Sequence, residues 1–279
     1  MNRPSRKQLF TAGSRLALAV QYDGREFNGW QQQRSPVMPS VQDALETALS
    51  SVADEAVTVQ CAGRTDSGVH ASHQVVHFDS PVDRPETAWT LGVNSQLPDT
   101  VAVKWVAQVP DDFNARFSAT ARRYRYVILN SAQRPAHLTA GVTWVASRLN
   151  EAAMHDAAQA LLGERDFSAF RAAGCQSRTA MRNVHHARVG RVGELVVLDI
   201  QANAFLHHMV RNIAGSLIQV GLGQQSSDWL AGLLETRDRS LAAATAPAAG
   251  LYLVDVHYPE RFGLPEEVLG PFFIRHLFD

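Results

Sequence analysis

The stretch Cys61–Asp79, CAGRTDSGVHASHQVVHFD, combines a polar, turn-forming loop with an alternating apolar run. Gly63 and Gly68 flank the Arg-Thr-Asp triplet, and glycine permits the backbone angles that tight turns require. The alternation in SHQVVHFD predicts a strand directly after the loop. Asp66 would then lie on a loop at the end of a sheet, a position from which side chains often meet ligands.

Asp66 has two interpretations at this point. It can be a catalytic carboxylate that Arg64, two residues earlier, holds in the ionised form. It can equally be a loop aspartate that accepts hydrogen bonds from backbone N–H groups. The spacing of these residues leaves both interpretations open.

Three histidines, His70, His73 and His77, follow Asp66 closely and raise the question of a metal site. His73 and His77 would share one face of a strand because their spacing is even. No H-E-x-x-H pattern and no cysteine pair accompanies them. We therefore expect polar residues of a cleft wall and no metal, with a metal-dependent hydrolase as the alternative function.

The rest of the chain alternates predicted strands and helices, with one hairpin at 184–202. Further strands are predicted at 15–22, 57–62, 100–106, 121–130 and 250–259, and helices at 40–52, 86–94, 150–162 and 204–223. Ser40 and Asn150 are the predicted N-caps of two of these helices. This order favours an α+β fold in which two halves share an antiparallel or mixed sheet. We place the subdomains at 14–112 and 113–265.

The composition is that of an ordinary globular protein, with 46% hydrophobic and 19% charged residues. No apolar run reaches the roughly 18 residues that a membrane span requires. The basic N-terminus is not followed by the apolar region of a secretory signal. Cys61 and Cys175 are not spaced as a metal or disulfide framework. We therefore expect a cytoplasmic protein.

Basic charge concentrates in the middle of the chain. Residues 111–191 contain 12 basic and 6 acidic groups, a net charge of +6, whereas the whole chain carries −1. All but Lys7 and Lys104 of the 26 basic residues are arginine, and guanidinium groups bind phosphates bidentately and stack on bases. A general codon bias is an alternative explanation for the excess of arginine, but it accounts less well for the clustering. The middle segment therefore indicates a nucleic-acid partner.

The segment FNARFSATARRYRYVI (113–128) interleaves arginines with aromatic residues. On a strand, one face carries Arg122, Tyr124 and Tyr126, and the other carries Arg123 and Arg125. An aromatic ring beside arginines can stack on a base while the arginines contact phosphates. The alternative is an aromatic core face opposite a solvated basic face. The same pattern would also suit a non-catalytic RNA-binding module.

Arg211 lies within the apolar helix predicted at 204–223. A buried charge is unfavourable unless an opposite charge or hydrogen bonds compensate it. We therefore predict that Arg211 pairs with the carboxylate of Asp66.

Seven segments, in this order along the chain, resemble the TruA-type tRNA pseudouridine synthases. They are YDGREFNGWQQQ (22–33), SVQDALETAL (40–49), GRTDSGVHASHQVVHFD (63–79), FNARFSATARRYRYVI (113–128), LLGERDFSAFR (161–171), ANAFLHHMVRNIAGSLIQVG (202–221) and APAAGLYLVDVHYP (246–259). One R-T-D triplet would be a weak indication. Seven segments in register across Arg15–Pro259 are a specific one.

The resemblance implies the pseudouridine synthase fold, in which two related, RRM/ferredoxin-like α/β subdomains share a central, largely antiparallel sheet flanked by helices. It also implies the isomerisation of uridine to pseudouridine at positions 38, 39 and 40 in the anticodon stem-loop of tRNA, after base flipping. It implies no metal, no organic cofactor, and a homodimer that holds the tRNA. Asp66 would be the catalytic residue, and the substrate-binding residues would be Tyr124, Arg64, Arg211, Leu251 and His70. The expected RNA-binding residues are Arg84, Phe113, Asn114, Ala115, Arg116, Phe117, Arg123, Gln176, Ser177 and Arg178.

Overall fold

The computed structural model describes residues 8–275, apart from the side chain of Arg34. These residues divide into two units. The first contains the chain up to Thr120 together with Asp255–Gly270, and the second contains Ala121–Val254 together with the residues from Pro271 onward. The subdomain boundaries at 14–112 and 113–265 remain predictions. The basic segment 1–7, for which the sequence predicts no secretory signal, lies outside the described residues.

The first unit is built on an antiparallel sheet with one α-helix. Its elements are β1 (Leu9–Phe10), β2 (Arg15–Tyr22), β3 (Gln33–Arg34), β4 (Val37–Met38), α1 (Val41–Ala53), β5 (Gln60–Cys61), β6 (His70–Asp79), β7 (Arg84–Pro85), a π-helical turn (Ala88–Gly92) and β8 (Val101–Gln108). Strand β2 lies between β6 and β8 and runs antiparallel to both. Residues Leu16–Val20 of β2 are fully buried. A central strand covered on both faces explains why its apolar residues follow one another without interruption.

Helix α1 begins where the sequence predicts. Ser40 Oγ accepts a hydrogen bond from the backbone N–H of Asp43 at 3.1 Å and donates one to Asp43 Oδ2 at 2.9 Å. Such an N-cap contributes about 1 kcal/mol to stability. Val41, Leu45 and Leu49 form the buried face of the helix.

The second unit also combines an antiparallel sheet with α-helices, and its helical part is larger. Its elements are β9 (Ala121–Asn130), β10 (Thr143–Val145), α2 (Glu151–Ala158), β11 (Gly163–Asp166), β12 (Met181–Val192), β13 (Leu195–Ala202), α3 (Met209–Gly221) and α4 (Trp229–Thr236). The strands β11, β12, β13 and β9 are neighbours in that order and pair antiparallel. β10 pairs parallel with the end of β9. The predicted hairpin and the predicted α+β class, with a largely antiparallel sheet and helices, are confirmed.

The last strand, β14, spans Leu251–His257. Its residues Leu251–Val254 belong to the second unit and Asp255–His257 to the first. Among the described residues, no helix combines the length and apolar character needed to cross a bilayer.

Helix α3 is shorter than predicted. The sequence predicts a helix over 204–223, whereas the structure has one over Met209–Gly221. His208 has a φ of 61°, a left-handed conformation that an α-helix cannot continue through. The helix is largely buried as expected, and the amide of buried Asn212 is satisfied because it donates to Phe170 O at 2.8 Å.

Candidate active site

The loop that carries Asp66, Gly63–Val69, connects β5 to β6 in the first unit, and its backbone is held from both ends. The buried side chain of Gln74 donates to the carbonyl of Gly63 at 2.5 Å and accepts from its N–H at 3.3 Å. The Thr65 carbonyl accepts from the backbone N–H of Trp30 at 3.0 Å. Asp66 itself is half-buried. The carboxylate is therefore carried on a well-supported backbone.

Thr65 also anchors the loop through its side chain. Its Oγ1 lies 2.8 Å from the hydroxyl of Tyr22, which is buried at the end of β2. Both Tyr22 and Gln74 were missed as site-supporting residues. Tyr22 opens the segment YDGREFNGWQQQ, whereas Gln74 is a polar residue inside an apolar strand, and that position was the available signal.

Arg64 does not pair with Asp66. Its side chain is exposed, and among the described residues it forms no hydrogen bond or ion pair. The effect of Arg64 on the ionisation of Asp66 therefore stays a prediction and does not involve a direct ion pair. An exposed guanidinium two residues from the carboxylate remains available to a negatively charged ligand.

The three histidines after the loop are buried, not cleft lining. His70, His73 and His77 are 2%, 6% and 4% exposed. Burial lowers the pKa of His73 and of His77 below the ordinary histidine value. Within the described part of the chain, the three do not come together as a group of possible metal ligands.

Two of these histidines bind neighbouring backbone. His70 Nδ1 accepts a hydrogen bond from the N–H of Gly24 at 3.1 Å and lies 3.2 Å from Asp23 Oδ1. His77 Nδ1 accepts from the N–H of Ala115 at 3.1 Å. His70 therefore connects the start of β6 to the segment after β2, and His77 fixes the turn at 113–118.

That turn presents an exposed aromatic and an exposed arginine. Asn114 Oδ1 accepts from the backbone N–H groups of Arg116 and Phe117, both at 3.0 Å. The guanidinium of Arg116 lies 5.4 Å from the centre of the Phe117 ring, and Phe117 is 77% exposed. Phe113 and Ala115 are fully buried, so their side chains serve the core and not the surface.

Arg84, a predicted RNA contact, binds the end of helix α1. Its Nε donates to the Val52 carbonyl at 3.0 Å and its Nη2 to the Ala53 carbonyl at 3.4 Å. These carbonyls have no partner within the helix, and a cation there is favourable for the helix dipole. The structure therefore gives Arg84 a stabilising role.

In the second unit, Arg123 and Arg125 share one face of β9, as predicted, but the face is not a solvated basic one. Asp199 of β13 accepts from Arg123 Nε at 2.6 Å and Nη2 at 2.9 Å, and from Arg125 Nε at 2.8 Å. Asp199 is fully buried and Arg125 is 2% exposed. The charge of Arg123, a predicted RNA contact, is thus matched by a buried carboxylate.

The opposite face of β9 carries the tyrosines. Tyr124 is 9% exposed and packs edge-to-face on Phe205, with ring centres 5.1 Å apart. The hydroxyl of Tyr126 lies 2.6 Å from Thr143 Oγ1, and burial raises its pKa. Tyr126 is therefore structural, whereas the orientation of the Tyr124 ring is fixed by an aromatic neighbour.

Arg211 and Leu251, the other predicted substrate-binding residues of this unit, lie near the loop before β14. Arg211 is half-buried, and its Nε donates to the Ala246 carbonyl at 2.8 Å. Leu251 is buried at the first position of β14. The pairing of Arg211 with Asp66 stays a prediction.

The loop at 171–182 presents Gln176 and Arg178 on the surface. Arg171 Nη2 donates to the Ser177 carbonyl at 2.7 Å, and Arg182 Nη2 donates to Ser177 Oγ at 2.6 Å. Two arginines therefore shape the loop from inside while Arg178 remains exposed.

A comparison with protein families identifies the class of protein. The model of a family described as tRNA pseudouridine synthase matches residues 18–118 and 157–259, which include the Asp66 loop and β14. The chain belongs to the tRNA pseudouridine synthase family. It is therefore an enzyme of the isomerase class, and neither a non-catalytic RNA-binding module nor a metal-dependent hydrolase.

Three similar proteins from different bacteria share one name. A protein of Shewanella amazonensis named tRNA pseudouridine synthase A is 62% identical over 260 residues, covering 93% of this chain and 99% of the relative. Proteins of the same name from Actinobacillus pleuropneumoniae and Vibrio campbellii are 58% and 57% identical. Their alignments cover 94% and 93% of this chain, and 99% and 98% of the relatives. The resemblance stated from the sequence motifs is confirmed.

Proposed function

We propose that this enzyme converts uridine to pseudouridine at positions 38, 39 and 40 of the tRNA anticodon stem-loop, with Asp66 as the essential carboxylate. The family match across the Asp66 loop and the shared name of the relatives support the tRNA substrate. The three positions rest on the motif resemblance. The observation that carries the role of Asp66 is its half-buried carboxylate on a loop that Gln74 and Trp30 hold by hydrogen bonds.

The isomerisation leaves the atomic composition of the nucleotide unchanged. The N1–C1′ bond breaks, the uracil turns, and a C5–C1′ bond forms, while C5 loses its proton and N1 gains one. A stacked uridine must first leave the helix, at a cost of a few kcal/mol. A carboxylate such as that of Asp66 can act as nucleophile or base in these steps. Positioning and electrostatics supply the remainder of the catalysis.

The other substrate-binding residues then have distinct roles. Exposed Arg64 approaches the target nucleotide and helps displace the base. Tyr124, held by Phe205, stacks on the flipped uracil, and Leu251 provides an apolar wall. Arg211 binds the Asp66 carboxylate. His70 acts indirectly, because its ring is buried and holds Gly24.

The RNA-binding residues divide by exposure. The side chains that reach solvent are the ones we propose as direct contacts: Arg116, Phe117, Gln176 and Arg178. Asn114 and Ser177 organise the backbone that presents them. Phe113, Ala115, Arg84 and Arg123 support the fold around these contacts. We also propose a cytoplasmic homodimer that needs no metal or organic cofactor.

The test is tritium release from tRNA transcripts that carry C5-tritiated uridine at position 38, 39 or 40 alone. Asp66→Asn is expected to bind tRNA within about twofold of the wild type and to lose at least about 1,000-fold in rate. Asp54→Asn is the matched control, because Asp54 is an exposed aspartate and asparagine tolerates its left-handed backbone. Appreciable turnover by Asp66→Asn would refute the assignment. Release from none of the three transcripts would refute the positions, and loss of activity in EDTA would refute metal independence.

A further inference from the structure

We propose that Gly24 and Gly29 are positioning residues for the reaction. They belong to the segment Asp23–Trp30, called the clamp segment below, which packs on the backbone of the Asp66 loop. The inference rests on the proposed function, because it takes Asp66 as the catalytic carboxylate. Neither glycine was among the residues predicted from the sequence.

Gly29 touches the loop at the catalytic position itself. A methyl group built on Gly29 would lie 2.6 Å from the carbonyl oxygen of Thr65, 3.2 Å from the carbonyl carbon of Asp66 and 3.3 Å from the N atom of Ser67. Real Cβ atoms do not approach a backbone oxygen as closely as 2.6 Å. The backbone beside Asp66 can occupy its place only because position 29 has no side chain.

Gly24 makes the same kind of contact at the other end of the loop. A methyl group there would lie 2.0 Å from the carbonyl oxygen of Val69. The N–H of Gly24 also donates to the buried ring of His70, at 3.1 Å. The loop is therefore in direct backbone contact with the clamp segment both before and after Ser67.

Hydrogen bonds join the two segments between these contacts. The Phe27 carbonyl accepts from the backbone N–H of Gly68 and from the hydroxyl of Ser67, both at 3.3 Å. The Trp30 N–H donates to the Thr65 carbonyl at 3.0 Å. None of these bonds uses the Asp66 carboxylate. The clamp segment therefore acts on the backbone at Asp66 and not on its carboxylate.

The consequence for catalysis follows from geometry. A displacement of about 1 Å in a catalytic group can cost roughly 100-fold in rate. A side chain at position 29 must displace either the clamp segment or the Asp66 loop, because the three atoms nearest to it all belong to the backbone. The proposed direct RNA contacts, Arg116, Phe117, Gln176 and Arg178, lie outside this loop. The chemical step should therefore suffer much more than the affinity for tRNA.

The test compares Gly29→Ala with Gly13→Ala. Both glycines have positive φ, 92° and 84°, so both alanines carry the strain of that conformation. Only position 29 has neighbours, since a methyl group on Gly13 would meet nothing within 4 Å. Single-turnover tritium release and the tRNA dissociation constant are measured for both, with thermal unfolding as the check on the fold.

We expect Gly29→Ala to reduce the single-turnover rate roughly 10- to 100-fold with a dissociation constant within about twofold of the wild type. Gly13→Ala should keep the wild-type rate. Equal rates for the two variants would overturn the inference. A loss of tRNA binding by Gly29→Ala with an unchanged rate at saturation would overturn it as well.

If Gly29→Ala does not fold, Tyr22→Phe provides a second test of whether the backbone of the Asp66 loop must be held in position. It removes only the hydroxyl that lies 2.8 Å from Thr65 Oγ1 and adds no atoms. A rate at least about threefold below wild type at unchanged affinity would support positioning, and the wild-type rate would refute it. Asp66→Asn separates the two proposals. If that variant is active, the assignment of Asp66 fails. If it is inactive while Gly29→Ala and Tyr22→Phe are unimpaired, only the positioning role fails.

Discussion

Replacing Asp199 by Asn should be among the most destabilising single changes in the second unit. Asparagine keeps the shape and one acceptor oxygen but removes the negative charge. The carboxylate of Asp199 is fully buried and is bound by Arg123 and Arg125. The variant would leave the guanidinium groups of Arg123 and Arg125 together, the second of them only 2% exposed, without the negative charge of Asp199.

The magnitude follows from the burial of the partners. Removing one member of a buried ion pair costs about 3–5 kcal/mol, because the remaining charge stays desolvated. A domain is stable by only about 5–15 kcal/mol in total. The exposed pair of Arg261 with Asp112 has a similar separation, 2.7 Å, but its side chains are 61% and 58% exposed. Breaking an exposed pair of this kind costs about 0–1 kcal/mol.

Urea unfolding of Asp199→Asn and Asp112→Asn therefore compares one chemical change in two environments. The midpoint should fall strongly for the first and barely for the second, with similar slopes m. Equal midpoints for the two variants would refute the reasoning. That outcome would mean that Arg123 and Arg125 are well solvated in solution, and would return Arg123 to the group of direct RNA contacts.

Two further predictions concern RNA binding and pH. Arg116→Ala should reduce the slope of log K for tRNA binding against log salt concentration by about 0.7–0.9, the value for one phosphate contact. Arg84→Ala should leave that slope unchanged and lower the melting temperature. The opposite pattern would reverse the two assignments. Burial lowers the pKa of His73 from its ordinary value of 6.5. The His73 ring therefore takes up a proton more readily in the unfolded chain than in the folded one. The stability that is present above pH 6.5 is lost as the pH falls below that value. The melting temperature should fall less between pH 7 and about pH 5.5 in His73→Phe than in the wild type. His137→Phe, a change at an exposed position, should show the same fall as the wild type.

The beginnings of α1 and α2 could be predicted because the N-cap residues that set them act locally. Ser40 caps α1 through the N–H of Asp43, and Asn150 caps α2 through the N–H of Ala153, three residues on in each case. The start of α3 could not be predicted in the same way. Residues 204–206 are apolar, but the left-handed backbone of His208 delays the helix to Met209.

The roles of the arginines depended on contacts that are distant in sequence. Arg123 and Asp199 are 76 residues apart and meet because β9 and β13 pair in a particular register. Arg84 meets the Val52 carbonyl across 32 residues. No periodicity within either segment distinguishes these arginines from Arg116, whose exposure follows from the turn that Asn114 holds.

The sequence by itself determined the α+β class and the family, because the ordered motifs and short-range patterns lie in neighbouring residues. It also gave the prediction, still a proposal, that Asp66 is the catalytic residue. The tertiary structure alone decided that Gln74, Gly24 and Gly29 contact the Asp66 loop, and that Arg64 stands free of Asp66. The physical reason is packing. A glycine is needed where two backbones approach each other, and that approach exists only once the segment after β2 has folded against the start of β6.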